Sequence, residues 1–543
     1  MLRDVQQLTA RTFDLLVLGG GIYGLAVARD AALRGLSVAL VEADDFGSGS
    51  SFNHLRTIHG GLRYLQTLDF VRARESLGER RALARMAPQS VRPLAFAVPL
   101  YRSPTKGRLA MRAGFLLDRV LASGRNNDVA PSLHLPGGRV VSRAEAIQRF
   151  PGMRRQRLTG AAVFFDYVTT ESDRLTFAWA IAAAGAGAVL ANHLEAVAPL
   201  VEGRRVVGVR ATDRVSGHDL EIAARLTINA TGAAIDRLLS PLGVTARVPL
   251  LKVMNLVTRR DAGEEAIGGR SQRGRHLFLV PWRGRALFGT WESPRTFAPG
   301  DSEITGAEVS AFLRELNEAF PGLDLCTDDI TLVHRGLVPA AIDARGRVSL
   351  EGHEQIRDHA SDGVEGLMSV AGTKYTTARA VAERIVSHAL EKLERPPVPC
   401  RTTEPLPGGT LGDPQAAIAA ARAEYDALLP SDSLPHLIAA YGSEFEHVVA
   451  VAGDHREWLL RVADHSPVIG AEIVWAARRE MAVTLADAVV RRTPLGVLGY
   501  PGDAAAERAA ALLGGELGWP PDRRRLEIDR LRAFYGTLNA WKA

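Results

Sequence analysis

The sequence predicts an α/β protein with a helical C-terminal part, and three observations carry that prediction. A strand–helix–strand pattern opens the chain at residues 17–46, strands and helices alternate through most of the first 400 residues, and beyond residue 413 only amphipathic helical spacing remains. In the opening stretch, "VLGGGIYGLAVARDAALRGLSVALVEADDF", Val17 and Leu18 end an apolar strand, residues 24–34 have helical spacing, and residues 36–41 read as a second strand. Gly19, Gly21 and Gly24 form a G-x-G-x-x-G pattern. The missing side chains let the turn close, let a pyrophosphate approach backbone N–H groups, and let helix and strand pack tightly. Glu42 follows at the distance of a ribose acceptor. Together these features predict a dinucleotide site on a Rossmann-type βαβ unit and leave open which dinucleotide it takes.

At 543 residues the chain is long enough for two to four domains. Its 46% hydrophobic and 23% charged content is ordinary for a globular protein. Two cysteines, Cys326 and Cys400, offer no disulfide framework and no metal cluster, which fits a reducing cytoplasm. Residues 1–12 lack the apolar core of a signal peptide, and the most apolar long stretch, 175–190, is alanine-rich and interrupted by glycines, so no membrane span is expected. A net charge of +5 suits acidic ligands or an anionic lipid surface. The arginines are spread along the whole chain, so charge gives no argument for nucleic acid.

Composition changes at residues 391–413, "EKLERPPVPCRTTEPLPGGTLGD", where prolines and glycines end a helical pattern. A boundary there divides residues 12–400 from a helical domain over 401–543. Before it, residues 175–184 read as a helix, and "AVLANHLEAVAPLVEGRRVVGVRAT" and "LEIAARLTINATG" as successive strands. Three further segments carry chemistry. "SSFNHLRTIHGGLRYLQ", residues 50–66, crowds Ser51, Asn53, His54, Arg56, His59, Arg63 and Tyr64 around Gly60 and Gly61, and so many polar groups are costly to bury without partners. "LTINATGAAID", 226–236, runs an apolar strand into Thr231 and Gly232. "LMSVAGTKYTTARAVAE", 367–383, runs a strand into Gly372 and Thr373, then a helix near Thr376, a ready anion site.

Taken in this order, the segments resemble the FAD-dependent glycerol-3-phosphate dehydrogenase family, within the amine- and hydroxy-acid-oxidase flavoproteins. The family's I-H-G-G-x-R-Y stands as residues 58–64, its A-T-G as Ala230, Thr231 and Gly232, and its G-G-K-x-T-T-x-R is matched from Gly372 to Arg379. Its C-terminal E-x-A-x-T-x-x-D-x-x-x-R-R-T appears at Glu480, Ala482, Thr484, Asp487, Arg491, Arg492 and Thr493.

The resemblance implies FAD, bound in a two-dinucleotide-binding-type domain with a mixed β-sheet substrate domain inserted at roughly 95–150 and 246–335, and a C-terminal helical bundle. Cofactor contacts would come from Gly19, Gly21, Gly24, Glu42, Ser51, Arg56, Gly60, Gly61, Thr231, Gly232, Gly372, Thr373 and Thr376. The implied reaction is oxidation of sn-glycerol 3-phosphate to dihydroxyacetone phosphate, with electrons passed to a membrane quinone. It needs a base for the hydroxyl proton. His59 is the candidate, unless it only orders its loop against the flavin. Arg63 and Tyr64 would bind substrate oxygens, and Lys374 would stabilise reduced flavin by charge.

The chain departs from the family at presumed substrate positions. S-G-V-R-P-L becomes "RGLVPA", which moves the guanidinium from position 338 to Arg335. T-R-D-Y becomes "IRDH", keeping Arg357; V-K-G-S-H becomes "LKVMN", keeping Lys252 with Asn255 in the histidine's place; and G-T-T-D becomes "GTWE", with Thr290 and Glu292. Arg335, Arg357, Lys252 and Thr290 are the expected substrate contacts, Arg335 only if a turn or bulge at Gly336 brings it to the face of position 338. These changes keep alive oxidation of another polyol phosphate, a sugar-derived alcohol or a hydroxy acid. A non-catalytic or RNA-associated flavoprotein is the rival of another class. The expected location is the cytoplasm, with peripheral contact at the inner face of the cell membrane, and a homodimer is compatible with this reading.

Overall fold

The computed structural model describes residues 1–52, 54–61, 69–103, 107–272 and 274–542. Two sheets organise the first three-quarters of the chain. In the first, the strand Phe13–Leu18 lies between Asp219–Asn229 and Val38–Val41, parallel to both, and Leu367–Ala371 and Val189–Ala191 extend it on either side. Val38–Val41 and, after Asp14, residues 15–18 are continuous apolar runs because they are buried on both faces. Leu15 and Val17 pack toward the helices Ile22–Leu33, Ser172–Gly185 and Ala378–Lys392. Leu16 and Leu18 pack toward an antiparallel meander of Leu194–Glu202, Arg205–Asp213 and the start of Asp219–Asn229.

The second sheet is assembled from separated pieces of chain, in the order Val348–Leu350, Ile330–Ile342, Leu250–Thr258, Arg285–Phe297, His276–Trp282, Ala266–Arg270, Arg92–Tyr101, Leu158–Val168 and Thr57–Ile58. Arg139–Ser142 pairs beside Leu158–Val168. The sheet thus draws strands from outside the spans 95–150 and 246–335. Its outer face is covered by the helix Gly306–Ala319, through Val309, Phe312 and Leu316 against Met254, Leu256 and Phe288. Its inner face turns to the first sheet's loops and to the C-terminal helices, where Val257, Trp282, Leu287 and Leu332 share a core with Ile473, Leu485 and Leu531.

Beyond residue 413 the chain is helical, from Pro414–Tyr425 to Pro521–Leu538. It is held to the first sheet by buried ion pairs. The Arg492 guanidinium donates to both oxygens of Asp45, at 2.6 and 2.8 Å, and lies over the Phe177 ring. Arg174 pairs with Glu480 at 2.6 Å, and His193 with Asp487 at 3.0 Å. Burial opposes charging of His193, but Asp487 outweighs it and raises its pKa. The C-terminal motif is therefore a docking latch, and a π-helical turn over Asp487–Arg492 aims its arginines.

Candidate active site

Three parallel strands end side by side and deliver the glycine-rich segments to one edge of the first sheet, where ligands bind in open α/β sheets. Gly19 has φ +102°, and a Cβ there would stand 2.6 Å from the Ala230 carbonyl oxygen, so the first and third segments touch backbone to backbone. A Cβ on Gly24 would overlap the Gly19 carbonyl oxygen. The helix Ile22–Leu33 begins at Gly21 with no side-chain cap of its own, and the Ser51 hydroxyl accepts from the Ile22 N–H at 3.0 Å. Glu42 accepts from the N–H groups of Gly20 and Asp44, at 2.7 and 2.8 Å, and burial raises its pKa. Thr231 donates to Asn229, and Gly232 takes the left-handed conformation. The fourth segment closes on the first: the Tyr23 hydroxyl abuts Gly372 and donates to the Lys374 carbonyl at 3.0 Å. Thr373 donates to the Glu351 carbonyl, Thr376 is half-buried, and the helix begins at Ala378.

The second segment splits in two. His54 stacks on Tyr375 at 4.7 Å, which ties it to the fourth segment. His59, Gly60 and Gly61 sit at the edge of the second sheet, anchored on Asp166. That carboxylate accepts from the Gly60 N–H at 2.8 Å, pairs with the Arg80 guanidinium, and lies 3.3 Å from His59 Nδ1. Burial opposes its charge, but Arg80 and His59 hold its pKa below the usual range. The His59 side chain is 48% exposed, with Nε2 2.7 Å from the Thr57 hydroxyl. A half-exposed imidazole oriented by a buried carboxylate is the arrangement of a general base. Arg63, Tyr64 and Asn53 lie outside the described residues.

Several expected ligands are placed otherwise. The strands Leu250–Thr258 and Ile330–Ile342 pair without a bulge from Leu250/Pro339 to Val257/Leu332, so residues alternate strictly between faces. Asn255, His334, Gly336 and Val338 face inward. Lys252 and Arg335 face outward, toward the helix Gly306–Ala319. Arg335 thus does not replace a guanidinium at position 338, because Gly336 stays in register. Val338 lies instead in an apolar patch with Leu251, Val253 and Ala340. Lys252 is spent on Asp301 and the Glu303 carbonyl, at 3.1 and 2.7 Å. Arg357 is spent on a two-bond pair with Asp362. Thr290 does face inward, donating to Asn255 at 2.9 Å. Arg56 is fully buried: it engages Ser172 and Asp173 through one guanidinium nitrogen and lies 4.1 Å over the Trp282 ring.

Sequence reasoning gave no role to His334 and none to Asp166. His334 is fully buried between Phe52 and Trp282, and both of its ring nitrogens lack hydrogen-bond partners. Burial and the nearby Arg56 and His54 keep it neutral, its pKa well below 6.5. Burial likewise lowers His54 to about 3. The signal for His334 was a histidine directly across the ladder from Asn255, visible only once the register is known. Asp166 gave no signal, since it lies 107 residues from His59.

A helix N-terminus with no cap of its own, opening at the Gly19–Gly21 turn, with a carboxylate at the end of the next strand, fits a dinucleotide's pyrophosphate and ribose, and the Gly372 turn fits its far end. Fold and site define a dinucleotide-binding oxidoreductase. Residues 14–387 match the family described as FAD dependent oxidoreductase, and residues 400–524 that described as the C-terminal domain of alpha-glycerophosphate oxidase. A glycerol-3-phosphate dehydrogenase of Synechocystis is 30% identical over 98% of both chains. One of Mycobacterium leprae is 32% identical over 96% of this chain and 87% of its own. The crystal structure of the glycerol-3-phosphate dehydrogenase from Bacillus halodurans complexed with FAD shares the fold, with a TM-score of 0.77 and 24% identity over 98% of this chain and 96% of its own. The chain belongs to the FAD-dependent glycerol-3-phosphate dehydrogenase family, and its cofactor is FAD.

Proposed function

We propose that the protein oxidises sn-glycerol 3-phosphate to dihydroxyacetone phosphate and delivers the electrons to a quinone, working as a peripheral protein at a membrane surface. The observation that carries the chemistry is His59 held by buried Asp166 beside the Gly60–Gly61 turn. Bound FAD supplies the hydride acceptor. Asp166 accepts from Nδ1–H, which makes Nε2 the basic nitrogen; it takes the substrate hydroxyl's proton once the Thr57 hydroxyl, 2.7 Å away, gives up its hydrogen bond to it. Thr290 and Asn255 orient a substrate oxygen, Arg63 and Tyr64 bind its anionic end, and Lys374 offsets negative charge near the cofactor. The Gly19–Gly24 turn, Glu42, Ser51, Thr231, Gly232, Gly372, Thr373 and Thr376 hold FAD. We read residues 12–400 as the oxidoreductase unit and 401–543 as the helical domain. Full-length similarity to named glycerol-3-phosphate dehydrogenases supports the substrate. No helix among the described residues is long and apolar enough to cross a membrane.

One observation favours a second substrate reading. Where the family places a guanidinium this chain has Val338 in an apolar patch, which suits an alcohol carrying less charge than a phosphate. Anaerobic flavin bleaching by a panel of phosphorylated and unphosphorylated alcohols decides between them. Bleaching by glycerol 3-phosphate supports the first reading, bleaching by an unphosphorylated alcohol alone moves the assignment to it, and bleaching by none points to a non-catalytic flavoprotein.

A further inference from the structure

The carboxylate that holds His59 is shared with a second cation. Asp166 is buried, and its two oxygens are used differently. Oδ1 accepts from the Gly60 N–H at 2.8 Å and pairs with the Arg80 guanidinium, whereas Oδ2 faces His59 Nδ1 at 3.3 Å. Arg80 is buried as well, and its Nη1 also donates to the Phe165 carbonyl at 3.2 Å. It comes from the helix Phe70–Met86, and its guanidinium packs so closely on the turn that a Cβ on Gly60 would overlap it. Gly61 takes the left-handed conformation and Gly60 does not, so this close approach by itself requires a glycine at position 60.

The charged and titratable groups facing His59 among the described residues are Asp166 on the strand Leu158–Val168, Arg80 behind it, and His54 on its own loop, which burial keeps neutral. Thr57 and Phe96 complete its surroundings without charge. A carboxylate whose only counter-ion is an imidazole raises the pKa of that imidazole by about 1–3 units, which leaves it protonated at neutral pH and unable to act as a base. A second cation on the same carboxylate offsets that effect while leaving the hydrogen bond that orients the ring.

We propose that Arg80 is a positioning residue of the reaction: it turns Asp166 so that Oδ2 meets His59 Nδ1, and it offsets the carboxylate's charge so that Nε2 is unprotonated near neutral pH. This rests on the reading above that His59 is the base, and it assigns the group that keeps that base in working form. The catalytic turn, the helix Phe70–Met86 and the strand Leu158–Val168 are thereby joined at one buried carboxylate.

The test is the limiting rate of anaerobic flavin bleaching by glycerol 3-phosphate, followed from about pH 5.5 to about pH 9.5 in FAD-loaded wild type and variants. The substrate's own ionisation is common to all of them and cancels in the comparison. Arg80→Met should move the acid limb of the profile to higher pH by about 1 unit or more, because the buried carboxylate then has His59 as its one remaining cation. Arg80→Lys keeps the charge and should keep the limb while lowering the plateau, since a compact ammonium on a flexible stem does not fix the carboxylate's orientation as the guanidinium does. The neutral pair Arg80→Met with Asp166→Asn strands no charge, and its limb should fall within about half a unit of wild type. A folded, FAD-loaded Arg80→Met whose limb stays in place overturns the proposal, as does a neutral pair whose limb lies a unit or more below wild type. Either result reduces Arg80 to a structural ion pair. His59→Gln bleaching at the wild-type rate overturns the base reading itself, an outcome read independently of the Arg80 variants.

Discussion

Single residues decide the cofactor and substrate questions here through backbone clearance and side-chain direction. Gly21 stands at the N-terminus of the helix Ile22–Leu33, where we propose the pyrophosphate binds, with Ser51 Oγ already 3.4 Å from where its Cβ would be. Gly21→Val should therefore purify folded but colourless, which absorbance in the flavin band and far-ultraviolet circular dichroism check together. Arg335 makes the opposite case. Because it faces the outer helix, Arg335→Ala should leave the half-saturating concentration of glycerol 3-phosphate within about twofold of wild type, whereas loss of a buried phosphate ligand costs about 2–5 kcal/mol. Steady-state titration separates the two. His59→Gln should lower kcat by roughly 10²–10⁴-fold with FAD retained. An unchanged kcat in that variant would reduce His59 to a loop-ordering residue.

Among the elements, the helix Ser433–Tyr441 is joined to its neighbours by charge. His436 Nε2 lies 2.9 Å from Glu472 on the helix Gly470–Arg479, and Nδ1 lies 3.8 Å from Glu171, which pairs with Arg283 of the second sheet. Burial opposes charging of His436, but Glu472 and Glu171 outweigh it and raise its pKa to about 9. A folded pKa raised from 6.5 gives stability that is fully present below pH 6.5 and lost as pH rises through about 9. The size is on the order of 3 kcal/mol. Thermal unfolding of wild type and His436→Gln should show a gap at pH 6 that narrows by pH 9.5. A gap independent of pH would mean that the imidazole acts by packing alone.

For the whole molecule, the C-terminal helices are part of the core and not an appendage. They cover Val257, Trp282, Leu287 and Leu332 on the second sheet's inner face, and Arg492 neutralises buried Asp45. Arg492→Ala removes that carboxylate's two-bond partner and leaves it only the Asn192 amide and the Arg491 guanidinium 3.8 Å away, at a cost of up to about 3–5 kcal/mol. Limited proteolysis of this variant should release the C-terminal region sooner than in wild type. Removal of residues 401–543 should give insoluble protein, since the exposed sheet face is apolar.

The sequence by itself determined what short-range chemistry can encode. The G-x-G-x-x-G turn, the strand before it, the helix after it and the acid at Glu42 all lie within about 30 residues, and each follows from local spacing and the steric freedom of glycine. The helical character of the C-terminal part was likewise written in its three- and four-residue apolar steps. The tertiary structure alone decided which face of a strand meets the site. An uninterrupted ladder sends Arg335 and Lys252 outward and brings His334 beside Asn255, and a one-residue change in pairing would reverse every one of those assignments. It also decided partners far apart in the chain. Asp166 orients His59, and Asp45 receives Arg492. Register and long-range ion pairs depend on how whole elements pack, and no window of sequence contains both members of such a pair together with the fold that joins them.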